Sequence, residues 1–179
     1  ASMVLLENEG ALPLSDVTQV AVFGEVADGA NLGDEGSSNA VPSAAVTPLD
    51  GIQAIGAALG VGVVADLAPA DAGTVDAAVV VVGLTSDEEG EQIPLFPGGD
   101  RDSLALPADQ IDLITEVAAA NPRTVVVLEG GSAITVEPWV DAVQAVVMAW
   151  YPGMEGGTAL GRVAAVHVED GAEVLAEES

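Results

Sequence analysis

The chain has 179 residues, of which 50% are hydrophobic and 3% aromatic, and its 29 Asp and Glu residues stand against three Arg and no Lys, for a formal net charge of -26. So acidic a chain cannot neutralise phosphate groups, which excludes nucleic acid and anionic membranes as partners. The absence of cysteine excludes disulfides and thiolate metal sites, and no apolar run is long enough to span a membrane.

Apolar runs alternate with helical segments along the chain. The predicted order is a strand over 17–24, a helix over 47–59, strands over 61–67 and 77–84, a helix over 108–120, strands over 123–128 and 143–150, and a helix over 155–166. The run at 77–84 is continuously apolar, as in a strand that is covered on both faces. The alternation predicts an α/β fold in which a mostly parallel sheet carries helices on both faces, a three-layer α/β sandwich. We expect one domain over residues 1–168 and an acidic C-terminal tail over 169–179.

The loops that follow the predicted strands are the expected place for a functional site. In parallel sheets these loops open at one edge, where α/β proteins bind ligands. The loop after the strand at 77–84 is the most acidic, with four carboxylates within five residues: Asp87, Glu88, Glu89 and Glu91. Mutual repulsion, together with burial, raises the pKa of such a carboxyl, and a raised pKa suits a general acid at neutral pH.

Other chemistries lack the residues that they require. The turn after the first predicted strand reads GEVADG at 24–29, which matches neither a dinucleotide fingerprint nor a phosphate-binding loop. The one histidine, His167, lies in a C-terminal segment far from the loops, so serine-hydrolase and zinc chemistry are both excluded. No calcium-loop motif is present. We therefore expect no metal and no cofactor, which leaves carboxylate chemistry.

Seven segments of the sequence resemble a known family in their order and spacing. They are VLLENEGALPL at 4–14, GDEGS at 33–37, VTPLDGI at 46–52, DRDSLALP at 100–107, NPRTVVVL at 121–128, EPW at 137–139 and AWYPGMEGG at 149–157. Together they resemble the C-terminal α/β-sandwich domain of family 3 glycoside hydrolases, the β-glucosidases and β-xylosidases. The resemblance covers roughly residues 4–163.

The resemblance implies half of an active site for β-linked carbohydrate. In that family a (β/α)8 barrel carries the nucleophile, and the sandwich domain supplies the acid/base glutamate from the loop before an Asp-Arg pair. A retaining mechanism needs both carboxyls about 5–5.5 Å apart, and 179 residues cannot hold a barrel beside this domain. Glu89 is the first choice for the acid/base residue, Glu91 is the alternative and Glu88 is the third candidate. Asp100 and Arg101 are expected to brace the loop through an ion pair rather than to touch substrate.

Some features depart from the family or point elsewhere. Glu7 stands where the family has Lys, and the sequence after Arg162 lacks the usual Gly-Asp turn and Asn-Pro-Ser-Gly-Arg-Leu-Pro segment. The alternative hypothesis is a non-catalytic excised or engineered module that folds alone or self-associates, and we expect the isolated chain to be inactive. Trp150 and Tyr151 are assigned to the core or to loop bracing. Glu129 and Glu137 have no assignable role beyond the surface.

Overall fold

The computed structural model describes residues 3–33, 39, 41–90 and 101–165. Its strands are β1 (Val4–Asn8), β2 (Gln19–Phe23), β3 (Gly62–Val64), β4 (Ala77–Gly83), β5 (Thr124–Glu129) and β6 (Ala145–Met148). Its helices are α1 (Pro48–Leu59), α2 (Ser86–Glu89), α3 (Ala108–Ala120) and α4 (Gly156–Ala165), with 3-10 turns at Glu25–Asp28, Pro69–Thr74 and Val140–Ala142.

The strands form one sheet in the order β1-β6-β5-β4-β2-β3. All neighbours are parallel except β1, which pairs antiparallel with β6. The sequence did not predict β1, whose five residues are all exposed because it is an edge strand with a single partner. Each strand and helix that the sequence did predict is present, and α3 has the predicted bounds. The two central strands β4 and β5 are buried throughout, as their continuous apolar runs require.

Side chains alternate between two apolar clusters on opposite faces of the sheet. Val80 and Val82 of β4 lie in one cluster with α3, where Ile114 and Val117 are fully buried. Val79 and Val81 lie in the other cluster, which contains Ile52 of α1 and Leu160 of α4. Because helices cover both faces, the predicted three-layer α/β sandwich is confirmed.

Helices α1 and α4 cross at glycines that bring their backbones into contact. A Cβ atom added to Gly51 would lie 1.8 Å from the carbonyl oxygen of Gly157, and one on Gly161 would lie 2.4 Å from that of Gly51. Thr47 caps α1 by accepting the N–H of Asp50 at 3.1 Å. The close crossing seats both helices on the same face of the sheet.

The carboxyl ends of β2, β4, β5 and β6 lie at one edge of the sheet. Gly83 and Glu129 are register partners, so β4 and β5 end at the same level, and the loop after β6 begins beside them. This edge carries α2 and the loops that follow β5 and β6. Within the described ranges no helix is long and apolar enough to cross a membrane. His167 and the predicted tail over 169–179 lie outside those ranges.

Candidate functional site

The acidic loop after β4 begins with the single-turn helix α2. Thr85 precedes it and forms a capping box with Glu88. The backbone N–H and the hydroxyl of Thr85 both donate to Oε2 of Glu88 at 2.8 Å. The Glu88 carboxylate is therefore turned back onto its own loop, and its hydrogen bonds fix the start of α2.

Glu89 faces the opposite way, into the loops that follow β5 and β6. Its Oε2 accepts the N–H of Gly131 at 2.6 Å and the hydroxyl of Tyr151 at 2.8 Å, while its Oε1 accepts the hydroxyl of Ser132 at 2.5 Å. Nη2 of Arg101 lies 3.4 Å from Oε1, and the Glu89 side chain is 8% exposed. One carboxylate thus joins the segments that follow three adjacent strands.

The hydrogen bonds to Glu89 determine the direction in which its pKa shifts. Burial alone raises its pKa, but the hydrogen bonds from Ser132, Gly131 and Tyr151 and the charge of Arg101 outweigh burial and hold the pKa below its usual value. The raised pKa that the clustered carboxylates suggested is therefore not found at Glu89. The physical reason is that every donor around Glu89 stabilises the ionised form.

Arg101 closes the network from the far end of the same loop. Its Nη2 also donates to the hydroxyl of Ser132 and to the carbonyl of Ala133. Its Nη1 is buried and has no hydrogen-bond partner in the part of the chain that the structure describes. The ion pair of Arg101 is with Glu89 in this structure. Asp100 and Glu91, also named as candidates, lie outside the described residues.

The segment after β6 contributes an aromatic pair. Tyr151 holds Glu89 through its hydroxyl, and the carbonyl of Trp150 accepts the N–H of Gly130 at 3.2 Å. Trp150 has a φ of 60°, in the left-handed region, and the residue is 37% exposed. Trp150 is therefore not a core residue, and Tyr151 braces the loops at the carboxylate.

Glu129 is a functional candidate that sequence reasoning placed wrongly. Far from lying on the surface, it is fully buried, because it is the last residue of a strand whose six residues are all buried. Burial raises the pKa of Glu129 to about 8, and a weaker interaction with the Asn31 side chain offsets only part of this. No hydrogen bond of ordinary geometry reaches either carboxyl oxygen within the described ranges. Its position at the end of a continuous apolar run was the available signal.

An open groove of about 480 Å³ lies beside α2 and is lined by polar and acidic side chains, among them Asn31, Glu88 and Asp109. The amide of Gln110, also in its wall, pairs with both backbone groups of Gly83 at 2.8 and 2.9 Å. Among the residues that the structure describes, no group of three or more His, Asp or Glu side chains is arranged to hold a metal ion. The groove thus extends the polar edge without a metal centre in its described walls.

Comparisons with known proteins place these features in one family. The family model described as the glycosyl hydrolase family 3 C-terminal domain matches residues 3–169. The chain is 35% identical over 184 aligned residues to the exo-alpha-(1->6)-L-arabinopyranosidase of Bifidobacterium longum, an alignment that covers 90% of the chain and 24% of that enzyme. It is 41% identical over 85 residues to the xylan 1,4-beta-xylosidase of Xylanibacter ruminicola, covering 45% of the chain and 10% of that enzyme.

Solved structures show the same relationship. The GH3 beta-glucosidase of Bifidobacterium adolescentis superposes with a TM-score of 0.74 and 34% identity, over 91% of this chain and 25% of that one. The beta-glucosidase EmGH1 of Erythrobacter marinus superposes with a TM-score of 0.81 and 26% identity, over 92% and 27%. The chain therefore spans about a quarter of the length of the relatives that it matches along most of its own length.

Proposed function

The chain belongs to the glycosyl hydrolase family 3 C-terminal domain family, and from this premise we propose that it supplies the acid/base carboxyl of a retaining β-glycosidase. The substrates would be β-linked glucosides or xylosides, the classes that the names of several relatives carry. The nucleophile would come from a (β/α)8 barrel elsewhere in a longer enzyme. Because the relatives are about four times as long as the aligned region, they have room for such a barrel.

One observation carries the proposal. The side chain of Glu89 ties the loop after β4 to the loops after β5 and β6, at the carboxyl edge of the parallel strands. Ligands of open α/β sheets bind at this edge. A carboxyl fixed in this way is placed to meet a sugar held by a second domain.

The contacts of the described carboxylates in this loop favour Glu89 as the acid/base residue. The Glu88 carboxylate is engaged in capping α2. Burial raises the pKa of Glu89, but its donors outweigh burial and lower the pKa, which favours the ionised form that takes a proton in the second step. We therefore keep the proton-transfer role at Glu89, with Glu91 as the alternative, and Arg101 positions the Glu89 carboxylate.

The proposed reaction has two steps. In the first, the nucleophile of the barrel displaces the leaving group while the acid/base residue gives its proton to the departing glycosidic oxygen. In the second, the same residue takes a proton from the incoming water, which hydrolyses the glycosyl-enzyme bond with overall retention. The isolated chain lacks the nucleophile and is expected to have no hydrolytic activity. The alternative hypothesis is a non-catalytic excised or engineered module that folds alone or self-associates.

Leaving-group dependence tests the assignment in an enzyme that joins this domain to its barrel. We expect Glu89→Gln to lower turnover of unactivated β-glycosides by roughly 10²- to 10⁴-fold, the usual contribution of general acid catalysis. Activated aryl glycosides, which need no proton at the leaving oxygen, should lose far less. Glu91→Gln should leave turnover of both classes near that of the parent.

Glu88→Gln is the matched control, since Gln at this position can still cap α2, and its turnover should stay near that of the parent. A leaving-group split in Glu91→Gln, with none in Glu89→Gln, would move the acid/base role to Glu91. Full activity on unactivated substrates in both variants would remove the acid/base role from this loop.

A further inference from the structure

The backbone at Trp150 is strained in a way that packing does not explain. Its φ of 60° is a conformation that glycine and asparagine adopt readily and that a bulky side chain rarely does. A bulky residue usually adopts such a conformation where burial of the ring repays it. Here the residue is 37% exposed, whereas the other tryptophan, Trp139, is only 2% exposed.

The strain is held by the hydrogen bonds that surround Glu89. The carbonyl of Trp150 accepts the N–H of Gly130, and the next residue along each segment, Tyr151 or Gly131, donates to the Glu89 carboxylate. On the other side Ala149, 3% exposed, anchors the end of β6 in the core. The turn therefore fixes an exposed indole one residue away from the carboxylate network. Unusual backbone conformations that the surroundings hold in place are concentrated at ligand sites.

The composition makes this placement more informative. The chain has only two Trp, one Tyr and two Phe in 179 residues. Two of these five rings are adjacent at 150 and 151, at the edge of the sheet where the site lies. Indole offers a large, rigid apolar face with low conformational entropy, and such faces line small-molecule sites.

We propose that Trp150 is a platform on which one ring of the carbohydrate substrate stacks. The C–H groups on one face of a pyranose form an apolar surface that matches an indole face, while the hydroxyl groups at its rim remain free for polar contacts. The platform orients the sugar relative to the loop that carries the acid/base residue. This inference rests on the proposed function, because it takes the β-glycoside as the ligand.

The left-handed backbone allows a test that separates binding from stability. In the enzyme that joins this domain to its barrel, Trp150→Gly removes the ring and also relieves the strain, since glycine prefers this φ. We expect a melting temperature equal to or above that of the parent, a KM for β-glucosides raised roughly 3- to 10-fold, the size of an aromatic contact, and kcat changed by less than about twofold. The inhibition constant of free glucose or xylose should rise by the same factor.

Two further variants complete the comparison. Trp150→Phe keeps an aromatic face and should recover most of the affinity, whereas Trp150→Asn tolerates the backbone conformation but lacks the face and should match Trp150→Gly. Unchanged KM and inhibition constants in both Trp150→Gly and Trp150→Asn would overturn the proposal. A fall in melting temperature in both variants would also overturn it, because the ring would then be packing against another part of the enzyme.

The two proposals fail in different ways. If Glu89 and Glu91 variants retain activity on unactivated substrates, the proposed function fails whatever the Trp150 variants show. If the Glu89 and Glu91 variants behave as expected and the Trp150 variants leave sugar affinity unchanged, only the proposed stacking platform fails.

Discussion

Two carboxyls at the same edge of the sheet have opposite pKa shifts, and the difference between them lies in their donors. Glu89 accepts three hydrogen bonds and an ion pair, so its pKa is lowered although it is largely buried. Glu129 is buried without comparable donors, so its pKa is raised to about 8. Burial alone would have raised the pKa of both carboxyls. The functional reading of a buried acid therefore depends on which backbone and side-chain groups point at it.

The raised pKa of Glu129 predicts that this residue destabilises the fold at neutral pH. Below about pH 4.5 the group is protonated in both states, whereas between pH 4.5 and 8 the unfolded chain releases the proton and the folded chain keeps it. Each pH unit in this window lowers the free energy of unfolding by about 1.4 kcal/mol. We expect Glu129→Gln to be more stable than the parent by about 3 kcal/mol at pH 7 and equally stable at pH 4.

Urea unfolding from pH 4 to 9 measures this difference. Glu137→Gln is the matched control, because Glu137 is exposed and its substitution removes the same charge. Parallel stability curves for Glu129→Gln and the parent across this range would show that Glu129 is ionised in the folded chain.

At the scale of elements, the contact between α1 and α4 depends on the absence of side chains. Alanine normally stabilises a helix interior relative to glycine by about 1 kcal/mol. At Gly51 the sign should reverse, because the added Cβ would meet the carbonyl oxygen of Gly157 at 1.8 Å and separate the helices. We expect Gly51→Ala to lower the free energy of unfolding by about 1–3 kcal/mol, the usual effect of overpacking.

Thermal and urea melts of Gly51→Ala test this, with Gln53→Ala as the control at an exposed position of the same helix. The control should change the free energy of unfolding by less than about 0.5 kcal/mol. A Gly51→Ala variant as stable as the parent would mean that α1 and α4 can move apart without loss.

The strands and helices that could be predicted from the sequence are those that a single local pattern determines. The continuous apolar runs gave β4 and β5, and the helical stripe ending at Asn121 gave α3. Strand β1 was missed because its residues are exposed, so neither alternation nor a buried run marks it. The acidic loop was located from its place after a buried strand. The hydrogen-bond donors to Glu89 were not, because they lie 42 to 62 positions away along the chain and only the fold brings them close.

At the scale of the whole molecule, the few cationic side chains lie at structural contacts rather than among the acidic residues of the surface. Arg101 pairs with Glu89, and Arg123 donates to the carbonyls of Ser15 and Ala11 at 2.9 and 3.3 Å. The third, Arg162, lies in the last turn of α4, near the negative end of the helix dipole. The acidic side chains that give the net charge of -26 therefore repel one another across the surface.

This self-repulsion predicts a protein that salt stabilises. Raising NaCl from about 0.01 to 1 M shortens the screening length from about 30 to 3 Å, so charges that repel across the surface cease to interact. At pH 7 the melting temperature should rise by about 2–4 °C for each kcal/mol of repulsion removed. Near pH 4 many of the carboxylates are protonated, so the same addition should have a smaller effect, which separates charge screening from a general effect of salt on apolar surface. An equal rise in melting temperature at the two pH values would assign the stabilisation to the apolar core. A larger rise at pH 7 would show that the surface charge opposes the fold that the core supports.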